Sequence, residues 1–273
     1  KCNNLTAFCK KSKFNNMNKG KLRRQKKVDQ AILLEGINFQ KNNPEPIEAM
    51  ARQLFSLLET AKKDGSVDAP IKFLQSKINI SLENVETKQL ACKKGCSHCC
   101  YIWVSATAPE ILFVSKIVKR MGPKTIEKIR EAHTLTKDFN FETRHKYPNP
   151  CPLLENDVCS IYNSRPSACR YAASGNAEIC SRAYHNLSEE SIPIPTTHIR
   201  GSKAYSLALA IALKKAGFSY HAYEFNSALV RAIDTNNAQQ AWLSGEDVFS
   251  GIMTESVDIF SDKTAQNFYQ KAF

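Results

Sequence analysis

Long apolar runs are missing from this chain, and several catalytic signatures are missing with them. No stretch approaches the roughly 20 apolar residues that cross a bilayer, and the N-terminus has no apolar segment typical of a secretory signal. There is no GxSxG, no Walker loop, no kinase signature and no HExxH. Hydrolase and nucleotide-driven functions therefore have no support. The expected localisation is cytoplasmic, although an import or export signal could be missing because the chain begins at Lys1 rather than Met.

Alternation of apolar and polar residues, the pattern of a half-buried strand, is almost absent, and no internal repeat is visible. Helical spacing is common instead. It predicts helices from Pro46 to Gly65, from near Asp68 onwards, from Pro109 to Gly122, from Pro123 to about 141, before Gly217, and over 220–233. The fold class is predicted to be mainly α, with little or no sheet and with helices framing a loop-rich, cysteine-ligated metal centre.

The composition divides the chain into four regions. These are a basic disordered tail (1–27), N-terminal helices (28–90), a cysteine-cluster metal-binding region (91–185) and C-terminal helices that pack on it (186–273). Between Tyr147 and Arg182 the helical pattern breaks into Pro, Asn, Ser and Cys, which predicts loops. Residues 28–273 are expected to form one compact unit.

Positive charge is concentrated in the tail. The formal net charge is +12, and residues 1–27 carry ten Lys or Arg and no Asp or Glu, so the remainder is close to neutral. Such an arm can contact RNA or another anionic partner, including a membrane surface, through phosphate attraction. The alternative is a solvated, disordered terminus that keeps the protein soluble.

Eight of the ten cysteines lie in one third of the chain. The first four form the pattern C-x3-C-x2-C-C, and the other four are more widely spaced. The eight are Cys92, Cys96, Cys99, Cys100, Cys151, Cys159, Cys169 and Cys180. Short spacers containing Gly95 let thiolates converge on one ion or cluster. Disulfides suit small secreted domains, and closely spaced cysteines beside Lys, Ser and His are unlike buried core thiols. The pattern therefore predicts metal binding, whereas Cys2 and Cys9 are expected to be free thiols of the tail.

Two kinds of metal centre fit these cysteines. Zinc sites most often use paired C-x2-C knuckles, whereas a compact C-x3-C-x2-C run with a distant fourth cysteine is typical of a [4Fe–4S] cluster, which we favour. The expected primary ligands are Cys92, Cys96, Cys99 and one later cysteine. If all eight bind, there are two four-thiolate sites or one cluster and one structural zinc; otherwise several thiols are spare. Radical-SAM enzymes share the spacing within a parallel α/β barrel, and no βα alternation is present here.

Five residues near the cysteines are expected to surround the metal rather than bind it: Lys93, His98, Tyr162, Arg165 and Arg170. Neighbouring cations lower the pKa of a thiol and offset the charge of several thiolates. The other histidines are scattered singly and are expected to be ordinary. No catalytic residue is identified.

The cysteine-containing segments resemble a known family. Residues 91–100 (ACKKGCSHCC), 151–154 (CPLL), 159–162 (CSIY) and 165–170 (RPSACR) resemble the YkgJ-type cysteine-cluster proteins, whose domain is described as one that chelates zinc or iron. The resemblance covers about residues 91–182 and implies metal chelation through these cysteines. Flagellin lysine N-methylases look like distant relatives with a similar cluster, which makes group transfer conceivable. The chain has no Gly-rich strand–helix loop of the usual S-adenosylmethionine fold.

Three functions from different classes follow. The first is an iron–sulfur enzyme or electron carrier, which a cavity beside the cluster would favour. The second is a non-enzymatic binding module that a closed zinc site stabilises. In the third, the basic arm docks the protein on RNA or a ribosome-like partner.

Overall fold

The computed structural model describes residues 46–83, 90–185, 190–254 and 258–273. The predicted tail with Cys2 and Cys9, and residues 28–45 of the predicted N-terminal helices, lie outside these residues. Within them, most of the chain is α-helical and the only sheets are two short two-stranded ones. The predicted mainly α fold is confirmed.

The first two helices form the hairpin that precedes the cysteines. Helix α1 (Ile47–Asp64) buries one stripe of apolar side chains and ends at Gly65, whose φ of 67° lies in the left-handed region that favours glycine. Helix α2 (Asp68–Glu83) packs against α1 and α3. Both helices begin where the sequence predicts them.

A short strand and three helices follow the first cysteine group. Strand β1 (Ser105–Thr107) leads into α3 (Ala108–Met121), and Gly122 separates α3 from α4 (Pro123–Thr136). The predicted continuation of α4 to about residue 141 is wrong. The side chain of Asn140 accepts a hydrogen bond from Thr143 N and starts a separate helix, α5 (Phe141–Lys146).

The segment predicted to be loops contains short regular elements. Strands β2 (Leu154–Glu155) and β3 (Val158–Cys159) form a hairpin, and Asn156 and Asp157 turn it with positive φ angles of 49° and 60°. Two short helices follow, α6 (Ser167–Tyr171) and α7 (Ala177–His185). Sequence periodicity missed α7, although Asn176 accepts backbone hydrogen bonds at its start.

The C-terminal part closes the fold. It contains α8 (Thr196–Lys215), β4 (Ala222–Glu224), α9 (Phe225–Asp234), α10 (Ala238–Leu243) and α11 (Lys263–Ala272). The helix predicted from residue 220 begins only at Phe225, because β4 pairs antiparallel with β1, Ala106 opposite Tyr223. Glu224 then caps α9 by accepting hydrogen bonds from Asn226 N and Ser227 N.

Among the described residues, one hydrophobic cluster extends from Ile47 to Ala272. Helix α8 packs on α1, α2, α6 and α11, while α9 packs on α3 and α4. Trp242 stacks on Phe218 with ring centroids 4.0 Å apart. None of the described helices combines the length and apolarity that a membrane crossing would require. This helical frame holds the loops that carry the cysteines.

Candidate metal centre

The first cysteine group lies on a tight loop and a single turn of 3-10 helix. Gly95 has a φ of 86°, and Cys96 N donates to Lys93 O at 2.9 Å, so the chain reverses between Cys92 and Cys96. The 3-10 turn at His98–Tyr101 then carries two adjacent cysteines. The short spacers thus bring four thiols onto one compact segment.

The β2–β3 hairpin brings the second cysteine group to the first. Cys151 N donates to Cys100 O at 2.7 Å. Ser97 Oγ donates to Asp157 Oδ1 at 2.7 Å, which joins the turn of the hairpin to the first loop. Cys159 lies in β3. Residues about fifty positions apart in sequence are therefore held together by direct hydrogen bonds.

Helices α6 and α7 supply the last two cysteines, Cys169 and Cys180. The buried carboxylate of Glu110 accepts from Ser167 N at 2.7 Å and from Thr107 N and Oγ1 at 3.0 and 2.7 Å. It therefore fixes the start of α6 against the start of α3. A buried side chain that accepts three such bonds is a strong anchor.

Ser174 joins the beginning and the end of the cysteine region. This buried residue donates its backbone N–H to Cys92 Sγ at 3.3 Å. A hydrogen bond between Ser174 and the thiol of Cys180 lowers the pKa of Cys180, although burial raises it more. Cys92 and Cys180 are thus placed at one end of the cluster.

All eight described cysteines are free thiols. Burial raises the pKa of Cys92, Cys159 and Cys169, and it raises that of Cys151 to about 11. A hydrogen bond with Cys100, together with burial, raises the pKa of Cys99. These thiols are protonated at neutral pH without metal. Since metals bind thiolates, metal binding must release protons.

Electrostatic proximity divides the thiols into two groups. Beyond burial, Cys96, Cys99 and Cys180 raise the pKa of Cys92. Beyond burial, Cys151, Cys99 and Cys159 raise the pKa of Cys169. Cys99 influences both groups and therefore lies between them.

The thiols do not converge on the position of a single ion. Among the residues that the structure describes, no three His, Cys, Asp or Glu side chains are arranged to hold one metal ion. Sulfurs bound to one tetrahedral Zn²⁺ lie only about 3.8 Å apart, because each Zn–S bond is about 2.3 Å. Binding of a single ion would require these side chains to move.

A cavity of about 510 Å³ lies beside the cysteines. Six thiols line it: Cys96, Cys99, Cys100, Cys151, Cys159 and Cys169. Most of the other lining residues are apolar, including Trp103 and Ile161. Its volume lies within the range of small-molecule sites, roughly 300 to 1,000 Å³. The thiols therefore form part of the wall of a ligand-sized space.

Three of the residues expected around the metal line this cavity: Lys93, Tyr162 and Arg165. The guanidinium of Arg165 lies 3.8 Å from the ring centre of the exposed Tyr162. Its charge lowers the pKa of Cys159, but burial raises that pKa more. The expected effect of a nearby cation is present, yet desolvation outweighs it in the metal-free protein.

Arg170 uses its hydrogen bonds to support the loop before α6. Its Nε donates to Arg165 O at 3.0 Å, Nη1 donates to Asn79 Oδ1 at 2.8 Å and Nη2 donates to Asn163 O. Burial lowers the pKa of this guanidinium. Its contacts fix the backbone that presents Arg165 and Cys169.

His98 has a neighbour that the sequence did not predict. Its Nδ1 lies 3.1 Å from His185 Nε2, and the ring of Tyr101 packs 4.5 Å from the ring of His185. Burial and the charge of His185 lower the pKa of His98. The two rings join α7 to the 3-10 turn of the first cysteine group.

Sequence reasoning missed Glu110, Ser174 and the hydrogen bond between Ser97 and Asp157. The turn had a local signal, because Asn156 and Asp157 are residue types that tolerate the positive φ angles of a two-residue hairpin turn. No local pattern marks Glu110 or Ser174, since their partners are distant in sequence.

Comparison with known proteins connects this geometry with metal binding. Residues 91–188 match the CxxCxxCC family model, described as "Putative zinc- or iron-chelating domain". No curated protein and no solved structure matches the chain. The match includes all eight cysteines of the cluster and confirms the resemblance inferred from residues 91–182. Over about a third of its length, the chain is therefore similar to a domain described as one that chelates zinc or iron, which supports metal binding by the cysteine region.

Proposed function

We propose that this region holds a [4Fe–4S] cluster that serves redox or group-transfer chemistry on a molecule bound in the adjacent cavity. The observation that carries the proposal is the cavity of about 510 Å³ with six cysteines in its lining. A structural zinc site is closed by four protein ligands and needs no such space. A centre that acts on a substrate must lie beside one.

The arrangement of the thiols is compatible with a cluster. No three potential ligands in the described ranges are arranged around one ion. In a [4Fe–4S] cluster each thiolate binds a different iron, so the ligands lie further apart than around one Zn²⁺. A cluster therefore does not require three thiols to surround a single position.

We assign the thiols to two four-cysteine sites. The predicted primary set of Cys92, Cys96 and Cys99 is completed by Cys180, because Ser174 contacts both Cys92 and Cys180. This first site has the C-x3-C-x2-C spacing that is typical of a [4Fe–4S] cluster, and it holds either iron–sulfur or zinc.

The other site consists of Cys100, Cys151, Cys159 and Cys169. The hydrogen bond between Cys151 N and Cys100 O holds its two parts together. All four of its thiols line the cavity, so this site is the one that meets the substrate.

The protein prepares the site in two ways. Arg165 offsets thiolate charge, since its positive charge lowers the pKa of Cys159 against the larger effect of burial. Apolar side chains, among them Trp103 and Ile161, keep water from the cavity wall. When bound, a [4Fe–4S] cluster supplies one-electron transfer.

Metal and acid-labile sulfide analysis of protein purified without oxygen tests the proposal. We expect iron and sulfide in equal amounts, on the order of four of each per cluster, and a broad absorption band at about 400 nm. Cys151→Ser should remove the cavity-side cluster, whereas the tail variant Cys9→Ser should keep it. Stoichiometric zinc without sulfide would refute the proposal and favour a zinc-stabilised binding module.

The contact between residues 1–27 and RNA or another anionic partner stays a prediction, because these residues lie outside the described ranges. Deletion of residues 1–27 should abolish such binding and leave the metal content unchanged.

A further inference from the structure

We propose that the cavity beside the cysteines binds a largely apolar organic acid whose anionic group is held by Arg165. This inference rests on the proposed function, because it names the substrate class of the cavity-side site.

The apolar residues of the lining indicate that most of the ligand is apolar. The indole nitrogen of Trp103 donates to Ser105 Oγ at 2.7 Å, so its polar atom is satisfied without a ligand. Phe225 N donates to Val104 O at 3.0 Å, which satisfies that backbone too. The lining then offers mainly hydrocarbon surface, from Ile102, Trp103, Val104, Leu153, Ile161 and Phe225. A polar or heavily charged ligand would lose hydration there without compensation.

The anionic group follows from Arg165. Its Nε donates to Tyr162 O at 3.1 Å, and its guanidinium stacks on the Tyr162 ring at 3.8 Å. These two contacts fix the plane of the guanidinium. Its terminal nitrogens donate to no residue that the structure describes. A held guanidinium with a free pair of donors matches the two oxygens of a carboxylate.

The other charged residues of the lining favour an acid over an amine as the ligand. Lys93 and Lys94 also line the cavity, and neither forms an ion pair within the described ranges. The acidic residue in the lining is Asp157, whose Oδ1 already accepts from Ser97 Oγ. In the metal-free protein, the charged residues of the cavity lining therefore carry an excess of positive charge.

A competing explanation is that these cations only offset the charge of metal-bound thiolates. The two explanations differ in one measurable respect. If the cations only neutralise the thiolates, an apolar acid and the matching neutral alcohol will bind equally well.

Three probes with one carbon skeleton make this comparison: 4-phenylbutanoate, 4-phenylbutan-1-ol and 4-phenylbutylamine. Their affinities for the full-length, anaerobically purified protein are measured by calorimetry or equilibrium dialysis, with metal content determined on the same sample. We expect the carboxylate to bind on the order of tenfold more tightly than the alcohol, and the amine to bind most weakly. Equal affinities, preference for the amine or no binding of any probe would overturn the inference.

Substitutions test which residue causes the preference for the carboxylate over the alcohol. Arg165→Gln should remove the advantage of the carboxylate while the alcohol binds as before, and Arg165→Lys should restore part of it. Trp103→Ala should weaken both probes equally. If Arg165→Gln leaves the preference intact, the assignment of the anionic group to Arg165 is wrong. Circular dichroism of each variant checks that it is folded.

The same experiment separates this inference from the proposed function. Binding does not require that the metal be iron. If the protein contains zinc and prefers the carboxylate, the proposed iron–sulfur cluster is refuted and the proposed ligand class stands. If it contains an iron–sulfur cluster and shows no preference, the ligand class is refuted and the cluster stands.

Discussion

Gly201 lies in the middle of α8, where helix propensity and packing predict opposite effects of an added methyl group. A Cβ at position 201 would lie 2.9 Å from Cε1 of Tyr171, 3.1 Å from its Oη and 3.3 Å from its Cζ. The ring cannot easily move, because it is buried, stacks on Tyr205 and has its hydroxyl 3.3 Å from Ser81 Oγ. Gly201→Ala therefore forces either the ring or α8 to shift.

The expected magnitude follows from two opposing terms. Alanine in place of glycine within a helix gains about 1 kcal/mol. Overpacking of a buried ring costs about 2 kcal/mol, within a usual range of about 1 to 3. The net loss in the free energy of unfolding is about 1 kcal/mol, which corresponds to a melting temperature lower by about 2 to 4 °C. Because Tyr171 and Cys169 share α6, the metal should also become easier to remove with a chelator.

Urea unfolding followed by circular dichroism, at equal metal content, measures this change. Ser206→Ala, on the exposed face of α8, is the control and should stabilise slightly. In a Tyr171→Leu background the ring is gone, and Gly201→Ala should become stabilising. If Gly201→Ala stabilises the wild-type protein by about 1 kcal/mol, helix propensity dominates and the packing argument is refuted.

Three further predictions concern buried charge, surface charge and protons. Glu110→Gln places an amide N–H₂ against backbone donors and should cost about 2 to 3 kcal/mol in urea unfolding, whereas the exposed Glu127→Gln should change little. Asp234→Asn breaks an exposed 2.6 Å ion pair with Arg130 and should cost less than about 1 kcal/mol, with a smaller loss at high salt. Burial raises the pKa of Cys151 to about 11, so this thiol must release a proton when it binds metal. Apparent metal affinity in a chelator competition should then rise about tenfold per pH unit for each such proton, and a flat profile would mean that the thiols are already ionised.

The helices that frame the site were largely predictable because their signals are local. Pro46 and Gly65 mark the two ends of α1, and a stripe of apolar side chains fills its buried face. The errors occurred where a distant partner competes with helix formation. Residues 222–224 could have continued a helix, but they pair with β1 more than a hundred residues earlier. Local spacing contains no information about that partner.

The candidate site, like the fold, was predictable from the sequence only where its signals are local. Cysteine spacing predicted a metal centre, because thiolates that share a metal must meet across short turns. Cysteine spacing did not identify the fourth ligand of the set that contains Cys92, Cys96 and Cys99. Ser174, which contacts both Cys92 and Cys180, indicates which later cysteine lies beside the first group. That contact depends on where α7 packs, and no spacing rule describes it.

The sequence by itself determined that this protein is mainly helical and that its cysteine region binds metal, since helical periodicity and ligand spacing act over a few residues. Only the tertiary structure decided that six thiols share a cavity with apolar side chains. It also decided that Arg165 lines that cavity with terminal nitrogens that donate to no described residue, while Arg170, five residues away, holds the backbone through its hydrogen bonds. The physical reason is that burial, charge environment and hydrogen-bond partners depend on neighbours from α2, α3, α6 and α7, which come together only when the chain folds.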